Sequence, residues 1–211
     1  MKRLLGVVMC WGLLVSCEKP QTPIQPQSIP IHRTVAVTDT TLLRLVESGV
    51  RQAGVTTSYD ATYRAIPYPN GDVPIETGVC SDVVIRAFRR IGMDFQQLVY
   101  EDMRKNFGAY PNLWNLKAPD RNIDHRRVPN LERWFERHGW LLPVTREAAD
   151  YQPGDLVTWR IPPNLAHIGL VTHVLTPSNR LAVVHNYGRG ALVQDALFVW
   201  PVTGHFRMPR P

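Results

Sequence analysis

The sequence predicts an α+β fold in which N-terminal helices pack on an antiparallel sheet. From about residue 38 to residue 140, apolar side chains recur at helical spacing. After Tyr151-Gln152-Pro153-Gly154 they fall into short β-branched and aromatic runs. Helices followed by strands, without alternation, is the order of an α+β domain. Cys80 is the one cysteine of the predicted domain, at the start of one of these helices.

The chain opens on Met1-Lys2-Arg3, an apolar run from Leu4 to Val15, then Ser16-Cys17. Two positive charges, a short apolar run and a small residue before the cut match an export signal. The run is shorter than the roughly 20 residues that span a bilayer. Leu14-Val15-Ser16-Cys17 resembles the lipobox of bacterial lipoproteins. On that resemblance residues 1–16 are the signal peptide, Cys17 carries the lipid, and Glu18 directs the protein to the outer membrane. An ordinary signal cut near Ser16, with Cys17 incidental, is the other reading.

Residues 17–37 are rich in proline and glutamine and predict an extended tether, able to reach about 60 Å at about 3.1 Å per residue. Residues 38–211 suit one globular domain. Removing Lys2 and Arg3 with the signal lowers the formal charge from +6 to +4. That balance suits an anionic cell wall. It does not argue for nucleic acid, because no basic run is interleaved with aromatics.

Thr38-Asp39-Thr40 before Leu42, Leu43, Leu45, Val46 and Val50 predicts a capped amphipathic helix ending near Gly54. Tyr59 to Gly78, with Asn70-Gly71 and several prolines, reads as a loop or short hairpin. Cys80 to Ile91 is the next helix, stopped by Gly92, with Val84, Ala87, Phe88 and Ile91 on the face that carries Cys80. A further helix is expected from an Asn130 cap through Leu131, Trp134, Phe135 and His138, closed by Gly139. Strands are expected at Asp155–Trp159, Ile168–Val174, Leu181–His185 and Ala196–Trp200.

A lone thiol in an exported chain has no disulfide partner. One reading is a small buried hydrophobe. The other is a nucleophile, since a helix N-terminus favours the thiolate and lowers its pKa, while its free N–H groups can hold an oxyanion. Such chemistry needs a base, usually histidine. His167 opens one predicted strand and His185 ends the next, so a hairpin turning near Thr176–Ser178 places them opposite or one pair apart. His173 lies about 20 Å along the strand from His167, which argues against one metal shared by the three. Cys80 lacks the second cysteine of common zinc patterns. No metal or cofactor is expected.

Val79-Cys80-Ser81-Asp82-Val83-Val84, Pro153-Gly154-Asp155-Leu156-Val157-Thr158-Trp159, Ala166-His167-Ile168-Gly169-Leu170-Val171 and Val184-His185 resemble, in this order, the NlpC-type cysteine peptidases. The resemblance implies a papain-like fold and cleavage of amide bonds in peptidoglycan stem peptides. By it Cys80 is the nucleophile, His167 the base and His185 the residue that orients the base, with Asn186 as the alternative orienter. Tyr68-Pro69-Asn70-Gly71-Asp72-Val73-Pro74, Gly78 to Ala87, Asn122 to Asn130 and Val184-His185-Asn186 more closely resemble a bacterial domain-of-unknown-function family, number 1287. The chain departs from the peptidases in carrying Gly78-Val79 before the cysteine and an insert at about Phe95 to Asp150.

By the same resemblance Tyr68 stands near the oxyanion, and packing in a proline-bounded turn is its other role. Asp82 is expected to meet the N–H groups of the first helical turn. Asp124-His125-Arg126-Arg127 either caps a neighbouring helix or grips a substrate carboxylate, which arginine can do bidentately. The expected partner is peptidoglycan or another cell-envelope amide. The rival expectations are a non-hydrolytic wall-binding or scaffolding lipoprotein and a thioester-forming amide transferase.

Overall fold

The computed structural model describes residues 28–209. The expected signal peptide, Cys17 and the first part of the tether lie outside the described residues. Among those described, no helix is long and apolar enough to cross a membrane.

Among the described residues, four α-helices precede the sheet: α1 (Thr40–Val50), α2 (Cys80–Arg89), α3 (Phe95–Asn106) and α4 (Val128–Arg137). Six strands follow: β1 (Leu141–Leu142), β2 (Leu156–Ile161), β3 (Leu165–Leu175), β4 (Leu181–Asn186), β5 (Ala191–Gln194) and β6 (Val202–Phe206). They form one sheet in the order β1-β6-β2-β3-β4-β5, with antiparallel neighbours. The fold is the expected α+β class, with a cysteine-led helix packed on an antiparallel sheet.

Strand alternation divides the interior in two. Leu156, Ile168, Leu170, Val184 and Phe206 face the helices, where they join Leu45, Val84, Phe88, Phe95 and Phe135. Val157, Trp159, Ile161, Val171 and Val183 face the other way and are covered by Tyr151, Leu197 and Trp200. Helix α1 starts where expected, because the Asp39 carboxylate accepts from Thr41 N at 2.9 Å and Leu42 N at 3.0 Å. It sits flush on the sheet at Gly49, where a Cβ would lie 2.7 Å from Leu170 Cδ2.

Four expectations are corrected. The insert holds a second helix, α3, capped by Asp94 and burying Phe95, Val99 and Met103. Helix α4 begins at Val128, not after an Asn130 cap. Pro129 occupies its first turn, and the Asn130 amide instead donates to Asp124 O at 3.1 Å. Ala196–Trp200 is a turn rather than a strand, and its apolar residues plug the far face of the sheet, where Trp159 Nε1 donates to Leu197 O. Residues 28–35 are not free tether. Ile29 N donates to Val193 O at 3.1 Å and Val35 N to His173 O at 2.8 Å, so backbone pairing holds the segment against β5 and β3.

The insert is fastened to the domain by aromatic packing. Phe135 of α4 meets Phe95 of α3, Trp140 and Phe206 at ring-centroid distances of 5.2–5.4 Å. Phe135→Ala is therefore expected to cost about 3–5 kcal/mol in urea unfolding. A loss below about 1 kcal/mol would show that the insert is peripheral to the core.

Candidate active site

Gly78 and Val79 lead into α2. Gly78 adopts φ +153, and a Cβ there would stand 3.0 Å from Asp82 Oδ2. Val79 has no polar side chain with which to cap the helix, so Asp82 reaches back and accepts from Val79 N at 2.7 Å. This is the role expected of Asp82. The same carboxylate is gripped by Arg126, with Nε to Oδ1 and Nη2 to Oδ2 each at 2.9 Å. Arg126 also donates to Asp60 O and Thr62 O, and its own carbonyl accepts from Ser81 Oγ at 2.7 Å.

The sheet supplies the histidines. Leu170 pairs with Val184, so one step further along the same register His185 falls across from Gly169, diagonally from His167 on the same face. His167 Nε2 and His185 Nδ1 lie 2.7 Å apart, a direct hydrogen bond between two wholly buried rings. Trp159 and Trp200 wall both rings, and Tyr187 stands 5.5 Å from His167. Burial pushes the His167 pKa well below the ordinary value, with His185 adding to the effect. Burial also lowers His185 to about 4. Both imidazoles are neutral at pH 7. Asn186 does not orient His167; its amide donates to Gly78 O at 2.9 Å and Ser58 O at 3.1 Å, tying the end of β4 to the approach to α2.

Cys80 is 4% exposed and belongs to the helix-side core. Its sulfur lies against the N–H of Ile168, the residue after His167, and near the N–H groups of Ser81 and Cys80 itself. These donors favour the thiolate, yet the lowered pKa expected for a helix N-terminus is absent. Burial dominates, the Asp82 charge adds to it, and the thiol is pushed up to about 11.

The remaining candidates are reassigned. Tyr68 packs edge-to-face on Tyr100 at 5.3 Å, with Arg121 over its ring. The tyrosine in electrostatic reach of Cys80, Asp82 and Arg126 is Tyr59, whose hydroxyl burial pushes upward. Its sequence signal was weak, because Tyr59, Tyr63 and Tyr68 all punctuate the same loop. Asp124, His125 and Arg126 are buried and Arg127 is nearly so. Arg126 is committed to Asp82. Arg127 pairs with Asp124 at 2.8 Å and lies over Trp114. Their expected grip on a substrate carboxylate is therefore corrected to a structural frame around α2.

Residues 46–208 match the family described as domain of unknown function (DUF1287). The chain belongs to that family. It is 50% identical over 173 residues to "Uncharacterized protein YijF" of Escherichia coli (strain K12), covering 82% of this chain and 84% of the relative. Among solved structures it is similar to NlpC1 from Trichomonas vaginalis, with 15% identity, TM-score 0.44 and 82% of this chain covered. It is also similar to a protein described as "similar to lipoprotein, NLP/P60 family" from Staphylococcus aureus subsp. aureus Mu50, with 10% identity, TM-score 0.42 and 84% of this chain covered. The matches span 46% and 44% of those two solved chains.

Two outcomes follow from this DUF1287 site. Arg126→Leu leaves the Asp82 carboxylate buried without its partner and is expected to lower unfolding free energy by about 3–5 kcal/mol. Cys80 in the folded protein is expected to react with iodoacetamide at pH 7 at least about tenfold more slowly than in urea, since burial removes thiolate and access together. Equal rates, read by mass spectrometry, would show the closed arrangement is not the one in solution.

Proposed function

We propose that this protein is a cysteine amidase or peptidase of the cell envelope, acting on amide bonds of peptidoglycan stem peptides. In this reading it is exported by residues 1–16 and held by lipid at Cys17. The observation that carries the proposal is the placement of Cys80 at a helix start, against the strand residue that follows His167, with His167 hydrogen-bonded to a second buried histidine.

The chemistry runs through a neutral pair. With His167 carrying its proton on Nε2, toward His185, its Nδ1 is free to take the Cys80 proton as sulfur attacks the amide carbon. The N–H groups of Cys80 and Ser81 then serve the developing oxyanion. His167 returns the proton to the departing amine as the C–N bond breaks, leaving a thioester on Cys80. Water cleaves the thioester in the hydrolase; an amine in its place makes the transferase.

One observation favours a second reading. Cys80 is almost inaccessible, as a wall-binding or scaffolding lipoprotein with a vestigial cleft would have it. The protein from Glu18 onward, wild type beside Cys80→Ala, separates the two on purified peptidoglycan. Fragments released by wild type alone, identified by mass spectrometry, are expected. Retention on the sacculus with no fragments from either protein would support binding.

A further inference from the structure

The hydrogen bond between His167 and His185 holds one proton and permits two arrangements. In one, His167 Nε2 donates, His167 Nδ1 is bare and His185 carries its hydrogen on Nε2. In the other, His185 Nδ1 donates, and His167 carries its hydrogen on Nδ1, which then cannot accept from a thiol. Neither ring selects between these by itself. The choice falls to whatever faces the remaining nitrogen, His185 Nε2.

That nitrogen is sealed from solvent and has no partner of ordinary hydrogen-bond geometry. Next to it on β5 stands Gln194. Val183 pairs with Gln194 and His185 with Leu192, so Gln194 occupies the same sheet face as His185, one diagonal step away. The step repeats the one from His167 to His185. Gln194 is itself buried, at 6% exposure. Its backbone is held from both sides, by Val183 of β4 and by the bridge to Ser28. The Gln194 side chain acts on the His185 ring and favours its protonated form. Of its two amide atoms only the oxygen can accept the hydrogen of an Nε2–H.

We propose that Gln194 is a positioning residue at the end of a relay His167–His185–Gln194, accepting the hydrogen on His185 Nε2 and so holding both histidines as Nε2–H tautomers. The relay leaves His167 Nδ1 as the bare nitrogen of the site. Its consequence for catalysis rests on the function proposed above; the tautomers themselves do not.

Long-range ¹H–¹⁵N spectra of the imidazoles in the Glu18–Pro211 protein test this, with His167→Gln and His185→Gln used to assign the signals. Wild type is expected to show both rings as Nε2–H. Gln194→Met, which keeps the length and removes the acceptor, is expected to lose that tautomer at His185 and His167. Gln194→Glu, which keeps an acceptor, is expected to retain it. Nδ1–H at His185 in wild type overturns the relay without recourse to any variant, which covers the case in which Gln194→Met fails to fold. So does a folded Gln194→Met with both rings still Nε2–H. On peptidoglycan, Gln194→Met is expected to lower kcat by about 10-fold or more with KM unchanged, and Gln194→Glu to recover most of it. An inactive wild type with the expected tautomers would refute the proposed reaction and leave the relay standing.

Discussion

The ion pair between Asp82 and Arg126 is the constraint on which the rest of the site depends. Both side chains are almost wholly buried, so neither charge can be left alone. Each therefore binds several partners. Asp82 supplies the helix start that Val79 cannot. Arg126 ties that helix to the loop carbonyls of Asp60 and Thr62, and Ser81 closes the circuit on the Arg126 carbonyl. Cys80 stands between these residues and inherits their rigidity. The same guanidinium fixes the loop that follows Tyr59.

Two opposed effects act on the thiol, and their sizes decide the outcome. A helix N-terminus stabilises an anion by about 0.3–1 kcal/mol at the surface and up to about 2 kcal/mol when partly buried. Removing a thiolate from water costs more. A pKa near 11 against a reference of 9.0 corresponds to roughly 3 kcal/mol against the anion. Burial likewise keeps His167 neutral. At neutral pH Cys80 thus rests as a thiol and His167 as a neutral imidazole.

Much of this was legible along the chain. Asp39 reads as a cap and is one. Cys80 opens its helix, and the hairpin logic that joined His167 to His185 holds to within one diagonal step. Helix α3 is signalled by Asp94 and the spacing of Phe95, Val99 and Met103, yet the long stretch between the Cys80 helix and the His167 strand reads as an insert around a single helix. The turn at Ala196–Trp200 looked like a strand because apolar residues that plug a sheet face have the same composition as residues within one. Residues 28–35 read as tether because they continue the proline- and glutamine-rich stretch before them; they dock by backbone hydrogen bonds and by Ile29 packing on the helix-side core.

By itself the sequence determined the α+β order, the helix that presents Cys80, the strands that present two histidines, and membership of DUF1287. These depend on local periodicity, capping and turn chemistry, which act over a few residues. Only the tertiary structure decided that Tyr59 rather than Tyr68 comes within electrostatic reach of the thiol, that Arg126 is committed to Asp82, and that Gln194 lies one step from His185. It also decided that the thiol's pKa rises rather than falls. Each of these is set by which distant segments share an interior from which water is excluded. Desolvation and pairing are properties of that shared interior, not of neighbours along the chain.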